Sequence, residues 1–233
     1  MCGRFVRKDK IEAIAKRFAV EEVESDLAPS YNVAPTQQVA VVVLDPAPRL
    51  VSMRWGLIPW WAEDPKIGNK LINARSESLT SKAAFKESFV KRRCLVVANG
   101  FFEWKKVGKA RTPLLIHLKS DELFGFAGLY DRWKSPTGER ITSCTIITTD
   151  PNELVLPIHD RMPVILARNV ERAWLDPETV EEPKLLAMLK PYTADDMAAY
   201  EVSDLVNSPA HDSPECIEPG GHSDRHSDQP GLF

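Results

Sequence analysis

The sequence is short of the features that mark several large classes of protein. Its 233 residues include no apolar run of transmembrane length and no charged segment followed by the apolar core of a secretion signal. It has four cysteines but no CxxC pair, and it has no internal repeat. These absences predict a globular protein of the reducing cytoplasm, where thiols stay free.

An excess of positive charge is also missing. The formal net charge is −3 at pH 7, which argues against a broad surface for nucleic acid. The acidic excess lies in the last part of the chain, because residues 207–233 carry five acidic residues and one Arg. The remainder carries 29 basic and 28 acidic residues. Any DNA site is therefore predicted to be a local groove.

The apolar pattern predicts one α+β domain with a mainly antiparallel, β-barrel-like core and short flanking helices. The domain is assigned to residues 2–219, and the polar tail 220–233 is expected to be disordered. Cys94 and Cys144 lie in apolar runs and are predicted core residues. Asp9 is predicted to cap a first helix over residues 11–18, and residues 31–35 are predicted to form a turn. Strands are predicted at 38–44, 50–55, 94–98, 114–118, 124–130, 143–149 and 162–166, and further helices at 83–90, 169–175 and 183–189.

Cys2 becomes a residue with two nucleophiles if Met1 is removed. The small residue that follows Met1 favours this removal, which frees an α-amine with an ordinary pKa of roughly 8. The amine condenses with an aldehyde to an imine, and the thiolate then closes on the same carbon to give a thiazolidine. A neighbouring cation or general base would raise the thiolate fraction. The alternative is that Cys2 is merely the residue that follows the initiator methionine and has no catalytic role.

Polar residues interrupt apolar segments at three other places. Asn73 and Arg75 alternate along an extended segment, which is also typical of a solvated edge strand. Glu103 lies among aromatic residues after an apolar run, where partial burial would raise its pKa and suit it to acid–base chemistry. His159 and Arg161 occur in a polar cluster just before an apolar strand. Each position also has a purely structural explanation.

Trp60 and Trp61 are adjacent and lie beside prolines. Neighbouring residues of a strand point to opposite faces, so at least one indole is expected to be exposed. Exposed aromatics near arginines bind single-stranded nucleic acid by stacking on its bases. Core packing is the alternative for this pair.

Taken together, several segments resemble the SRAP proteins, which are named SOS-response-associated peptidases and understood as abasic-site-processing proteins. The resemblance extends from Cys2 to about Pro219, and its specificity comes from the order of its motifs. The motifs are MCGR (1–4), YNVAP (31–35), WGLIP (55–59), NAR (73–75), GFFEW (100–104), IHDRMP (158–163), VN (206–207) and IEP (217–219).

The resemblance implies a cleft for single-stranded DNA containing abasic sites. There Cys2 would form a thiazolidine with the ring-opened aldehyde, a lyase-like crosslinking activity that shields the lesion. It implies no cofactor, metal or membrane. By motif position, the residues around the chemistry are Cys2, Asn73, Glu103 and His159. The DNA-binding residues are Arg4, Asn32, Pro35, Trp60, Trp61, Arg75 and Arg161.

Three other functions stay open at this stage. A cysteine-dependent peptidase would use Cys2 as nucleophile with Glu103 or His159 as base, although nothing in the sequence identifies an oxyanion hole. A non-covalent reader of single-stranded or modified DNA would need the arginines and tryptophans but not Cys2. A metal site on Cys2 and His159 is the weakest alternative, because the chain has no paired ligand spacing.

Overall fold

The computed structural model of the chain describes residues 2–220. Of the predicted tail, only Gly220 falls in this range, and its N–H donates to the carbonyl oxygen of Glu201 at 2.8 Å. Residues 221–233 lie outside the described part. None of the helices in residues 2–220 is long and apolar enough to cross a lipid bilayer.

The chain forms short helices and strands of two to eleven residues. The helices are α1 (Ile11–Arg17), α2 (Ala83–Lys91), α3 (Arg168–Leu175) and α4 (Glu182–Ala187). The strands are β1 (Phe5–Arg7), β2 (Glu22–Glu24), β3 (Ser30–Val33), β4 (Gln38–Leu44), β5 (Pro48–Trp55), β6 (Asn73–Arg75), β7 (Arg93–Ala98), β8 (Gly100–Val107), β9 (Ala110–Leu118), β10 (Phe124–Lys134), β11 (Arg140–Thr149), β12 (Met162–Pro163) and β13 (Met197–Glu201).

Five strands close into a barrel. They pair in the ring β4–β5–β11–β10–β7, and β7 returns to β4. Four pairings are antiparallel, and the ring closes through a short parallel pairing of β5 with β11, in which Arg54 lies opposite Ser143 and Trp55 opposite Cys144. Closure leaves these strands without an unpaired edge. The predicted α+β fold with a mainly antiparallel, barrel-like core is confirmed.

A second sheet carries the N-terminal segment of the chain. Its order is β13–β9–β8–β1–β3, and all of its pairings are antiparallel. The short strand β1 lies between β8 and β3, with Phe5 opposite Phe101 on one side and Val33 on the other. This pairing fixes the position of the residues that precede β1.

The alternation of side chains along the barrel strands divides the core into two parts. On β4, Val41 belongs to the cluster that contains Phe5 and Phe101 of the second sheet, whereas Val42 belongs to the cluster that packs against the helices. Phe5 is fully buried, and its ring centre lies 5.1 Å from that of Trp55. Burying such a side chain stabilises a fold by about 1.5–3 kcal/mol, so Phe5 anchors the N-terminal segment on the barrel.

The cysteines are all buried free thiols. Cys94 and Cys144 are 0% exposed and belong to the cluster that contains Phe5, which confirms their prediction as core residues.

Three local predictions are wrong. Helix α1 begins at Ile11 without a side-chain cap, because the carboxylate of Asp9 instead accepts from the Asn99 amide at 2.6 Å. Residues 31–33 of the predicted turn belong instead to β3, since pairing with β1 outweighs the local turn preference of Asn32, and the turn itself begins only at Pro35. The strand predicted at 162–166 is limited to β12, although Val164 still donates its N–H to Ile147.

Candidate functional site

The N-terminal segment enters the site beside β8. The N–H of Phe102 donates to the carbonyl oxygen of Arg4 at 2.9 Å, which continues the alignment of Phe5 with Phe101. The antiparallel direction therefore brings Cys2 next to the part of β8 that carries Glu103. Cys2 is 0% exposed, and its Sγ lies 3.8 Å from the carbonyl oxygen of Arg4.

Burial changes the acidity of both groups. It raises the pKa of the Cys2 thiol well above the usual range, and the neighbouring Glu103 carboxylate raises that pKa further. Glu103 is 4% exposed, and burial raises its pKa to about 7, which confirms the direction predicted from its aromatic surroundings. The thiol is thus protonated at neutral pH. A thiolate forms here only when a base takes the proton, and Glu103 is a carboxylate close to the thiol.

Asn73 reaches Cys2 from a different part of the chain. It begins β6, which runs parallel to β11 with Asn73 opposite Ile146. The Asn73 side-chain amide donates to the carbonyl oxygen of Cys2 at 2.8 Å. Its Oδ1 is buried and has no hydrogen-bond partner among the described residues, so it is available to a donor brought by a substrate or by an amine.

His159 lies in the loop between β11 and β12, and its side chain is 28% exposed. The N–H of Arg161 donates to its Nδ1 at 3.0 Å, which requires that nitrogen to be an acceptor and puts the proton of the neutral ring on Nε2. Burial lowers the pKa of His159. Nδ1 also lies 2.9 Å from the exposed carboxylate of Asp160, which favours protonation of the ring. Burial outweighs this effect, so the neutral ring is favoured at neutral pH.

The loop that carries His159 lies close to Glu103. The charge of Asp160 contributes to the raised pKa of the Glu103 carboxyl. The structure therefore brings Cys2, Asn73 and Glu103 together from three separate segments, with the loop of His159 beside them.

Arg4, which is half-buried, is hydrogen-bonded to the buried Asn32. The Arg4 guanidinium donates from Nη1 to Asn32 Oδ1 and to the carbonyl oxygen of Val206, both at 2.7 Å. Asn32 is 0% exposed, and its amide nitrogen donates to the carbonyl oxygens of Ser208 at 3.0 Å and His211 at 2.6 Å. The amide of Asn32 is therefore occupied inside the protein, where it joins β3 to the C-terminal segment.

The other two arginines of the predicted site differ in their partners. Arg75 is exposed at the end of β6, and among residues 2–220 its guanidinium forms no ion pair. Arg161 is 9% exposed and donates to Glu77 at 2.8 Å, to Asp150 at 3.0 Å and to the carbonyl oxygen of Thr148 at 2.8 Å. Arg75 is free to meet an anion, whereas Arg161 already binds two carboxylates.

The remaining predicted residues lie on loops. Pro35 is half-buried in the connection from β3 to β4, directly before Thr36, whose N–H donates to the carbonyl oxygen of Trp55 at 2.8 Å. Trp60 and Trp61 follow β5 in a turn and are 56% and 44% exposed. Both indoles are thus accessible, which confirms the prediction that at least one of them is exposed.

Two contacts that support the site were not anticipated from the sequence. The carboxylate of Asp212 accepts from the Asn32 N–H at 3.0 Å and from the Ser30 hydroxyl at 2.9 Å, and nothing in its polar surroundings indicates this role. The indole of Trp104 donates to Asn207 at 2.7 Å. Trp104 and Asn207 each lie in one of the family motifs, so a hydrogen bond between these two motifs could have been predicted from the sequence.

Two cavities lined by described residues lie away from Cys2, Glu103 and His159. One of about 720 Å³ is lined by residues around Arg111 and Ser203, and another of about 460 Å³ lies beside Trp61. Neither is lined by Cys2, Glu103 or His159. In the described part of the chain, no three His, Cys, Asp or Glu side chains are grouped so as to hold a metal ion.

Comparisons with known proteins agree with the motifs. The family model described as SOS response associated peptidase (SRAP) matches residues 1–209. The Bacillus subtilis (strain 168) protein named abasic site processing protein YoqW is 49% identical over 222 residues, covering 94% of this chain and 99% of that protein. The Gallus gallus protein named abasic site processing protein HMCES is 36% identical over 230 residues, covering 84% of this chain and 68% of that protein.

The fold is shared with solved structures as well. A crystal structure of a protein from Bacteroides thetaiotaomicron superimposes with a TM-score of 0.87 and 29% sequence identity, covering 94% of this chain and 100% of that one. The match of the family model over most of the chain and the level of identity to full-length relatives lead to one conclusion. The chain belongs to the SOS response associated peptidase (SRAP) family.

Proposed function

We propose that this protein processes abasic sites in single-stranded DNA by forming a covalent thiazolidine through Cys2, after removal of Met1. The observation that carries the proposal is the convergence of Asn73 and Glu103 on Cys2. The relatives named abasic site processing proteins support the choice of substrate, since the two compared above cover 94% and 84% of this chain.

The reaction joins one aldehyde, one amine and one thiol and releases one water. The α-amine of Cys2 adds to the aldehyde of the ring-opened deoxyribose, and loss of the hydroxyl as water gives an imine. The Cys2 sulfur then adds to the same carbon, its proton is transferred to the nitrogen, and the five-membered ring closes. The second step is intramolecular, so a fixed geometry favours it strongly.

Glu103 is the group we assign to the proton transfers. A carboxyl with a pKa near 7 is populated in both protonation states at neutral pH, so it can donate to the departing hydroxyl and then accept from the thiol. The thiol needs such a base because burial keeps it protonated. Neutral His159 suits hydrogen bonding to the sugar better than proton donation, because its pKa is lowered.

Asn73 is assigned to hold the nucleophile. Its amide nitrogen holds the carbonyl oxygen of Cys2, and its buried Oδ1 accepts from the α-amine once that amine is free. This arrangement would orient the nitrogen toward the aldehyde without adding charge to the site.

Binding of the DNA strand is assigned to the arginines, to Pro35 and to the exposed tryptophans. Arg75 would bind a phosphate directly, and Arg161 would do so by exchanging a carboxylate partner for the phosphate. Trp60, Trp61 and Pro35 would contact bases. Arg4 is assigned to the phosphate nearest the lesion, and the buried Asn32 to holding Arg4 in place.

Glu103→Gln tests the mechanism. We expect the rate of crosslinking to single-stranded DNA with one abasic site to fall by about tenfold to a hundredfold, because a neutral amide transfers no proton. The dissociation constant for undamaged DNA of the same sequence should change less than about twofold, since the carboxyl is buried. Quantified denaturing gels give the rate, and fluorescence anisotropy gives the affinity.

Unchanged rates of crosslink formation and reversal in Glu103→Gln would remove this residue from the mechanism. A Cys2→Ser variant that cleaves a peptide substrate without crosslinking DNA would instead favour the peptidase function. If the protein binds single-stranded DNA without forming a crosslink, and the Cys2→Ala variant binds it equally well, a non-covalent reader of DNA would be favoured.

A further inference from the structure

Trp60 is held at two points although its ring is largely exposed. Its backbone N–H donates to Asp131 Oδ2 on β10 at 3.0 Å. Its indole N–H donates to Glu87 Oε2 on α2 at 2.9 Å. The residue is nevertheless 56% exposed. Both the main chain and the side chain of one exposed aromatic residue are thus fixed by carboxylates from different elements.

The two carboxylates are themselves held by one guanidinium. Arg92 Nη1 donates to Glu87 Oε1 at 3.2 Å, and Arg92 Nε lies 3.3 Å from Asp131 Oδ1. The hydrogen bonds that Glu87 accepts from Arg92 and from the Trp60 indole hold the pKa of Glu87 below its usual value. Glu87 therefore stays ionised at neutral pH, as an acceptor with one oxygen for Arg92 and one for Trp60.

The neighbouring Trp61 provides an internal comparison. It is also exposed, at 44%, but within residues 2–220 its indole forms no hydrogen bond. In the loop after β5 that carries both tryptophans, the carbonyl oxygen of Ala62 accepts from the indole of the buried Trp133 at 2.7 Å. The loop backbone is therefore anchored by Trp133 and Asp131, and the hydrogen bond to Glu87 adds only the orientation of the Trp60 ring.

We propose that Glu87 is a positioning residue that holds the ring of Trp60 as a fixed stacking platform for one unpaired base. A side chain that is already ordered loses little conformational freedom on binding, so stacking on it contributes more affinity. The proposal rests on the proposed binding of single-stranded DNA and adds a residue that touches neither the DNA nor Cys2.

Whether substitution of Glu87 weakens or strengthens DNA binding separates a positioning role from an effect of its charge. Removing an exposed carboxylate near a DNA site normally strengthens binding, because one repulsive charge is lost. If Glu87 orients Trp60, Glu87→Ala must weaken binding instead. Glu87→Gln is the matched control, since it removes the same charge but keeps an oxygen that can accept from the indole N–H.

The experiment measures the affinity of the full chain for an undamaged single-stranded oligonucleotide, so that the covalent reaction is not involved. We expect Glu87→Ala to weaken binding by about threefold to tenfold, and Trp60→Ala to weaken it at least as much. Glu87→Gln should bind as tightly as the unmodified protein or tighter. The salt dependence of the affinity should be the same in all four proteins, because no phosphate contact is lost. Thermal unfolding of each variant shows that it is folded.

The outcomes separate the two proposals. If the unmodified protein does not bind single-stranded DNA, the proposed function fails and this inference fails with it. If the protein binds but Trp60→Ala binds equally well, Trp60 is not a platform and only this inference is overturned. Binding by Glu87→Ala that equals or exceeds that of the unmodified protein, or equal weakening by Glu87→Gln and Glu87→Ala, overturns the assigned role of Glu87.

Discussion

At the scale of a single residue, the buried carboxyl of Glu103 links the proposed chemistry to the stability of the fold. Its ordinary pKa of 4.5 rises to about 7 in the folded protein because burial disfavours the charged form. Between these two pH values the folded chain binds more protons at this position than the unfolded chain does. The free energy of unfolding therefore falls as pH rises through this window, since linkage favours the state that binds fewer protons at higher pH.

Glu103→Gln should remove this pH dependence. Relative to the unmodified protein, the variant is expected to gain on the order of 2–3 kcal/mol of unfolding free energy between pH 4 and pH 8, because the amide never becomes charged. Denaturant unfolding of both proteins across this range measures the change. Glu153→Gln, which alters an exposed carboxylate, is the control. A stability difference that stays constant with pH would contradict the raised pKa.

At the scale of elements, the chain just after β5 packs closely against the turn that precedes β6 and Asn73. Gly56 has a φ of +124°, and a Cβ at this position would lie 2.5 Å from the carbonyl oxygen of Gly68 in the 3-10 turn Pro65–Lys70. Gly56 also donates its N–H to Cys144 on the barrel at 2.8 Å. Close contact of the two glycines thus fixes the path of the chain from the barrel to β6.

Gly56→Ala is expected to destabilise the protein by about 3 kcal/mol or more, because it combines a positive φ with a steric clash. Gly108→Ala is the matched control, since Gly108 has a φ of +61° but no atom within 4 Å of a Cβ. The control should cost only about 1–2 kcal/mol. Equal losses in denaturant unfolding would show that the contact with Gly68 does not restrain the turn.

The elements also show what the sequence could predict. Strands such as β4 and β7 were predicted within a residue or so, because each is a continuous apolar run buried on both faces. Strands β1 and β3 were missed because they have three and four residues and exist through pairing with each other and with β8. The raised pKa of Glu103 was predictable from its aromatic neighbours. The burial of Asn32 was not, since its partners lie more than 170 residues further along the chain.

At the scale of the whole molecule, the charge distribution limits how DNA can bind. The formal net charge is −3, and the three arginines assigned to phosphates come from separate segments rather than from one basic face. Of these, Arg75 is exposed and Arg161 is mostly buried. We therefore expect binding through few phosphate contacts, with a weak dependence on salt.

For single-stranded DNA, three contacts predict a slope of about −2 in a plot of the logarithm of the association constant against that of the salt concentration. Arg75→Ala should reduce this slope to about −1.4. Arg168→Ala, which removes an exposed arginine that pairs with Glu122 and is not assigned to the DNA, should leave it unchanged. A slope near −7 would contradict a local groove, because it would require about ten phosphate contacts.

The central claim is covalent capture of the lesion by Cys2. The most direct test is a denaturing gel of the protein lacking Met1, mixed with single-stranded DNA that carries one abasic site, with undamaged DNA and the Cys2→Ala variant as controls. We predict a shifted band that survives heat and detergent and that requires both the lesion and Cys2. A band of equal yield with Cys2→Ala, or no band from protein whose mass confirms the loss of Met1, would contradict the proposed mechanism.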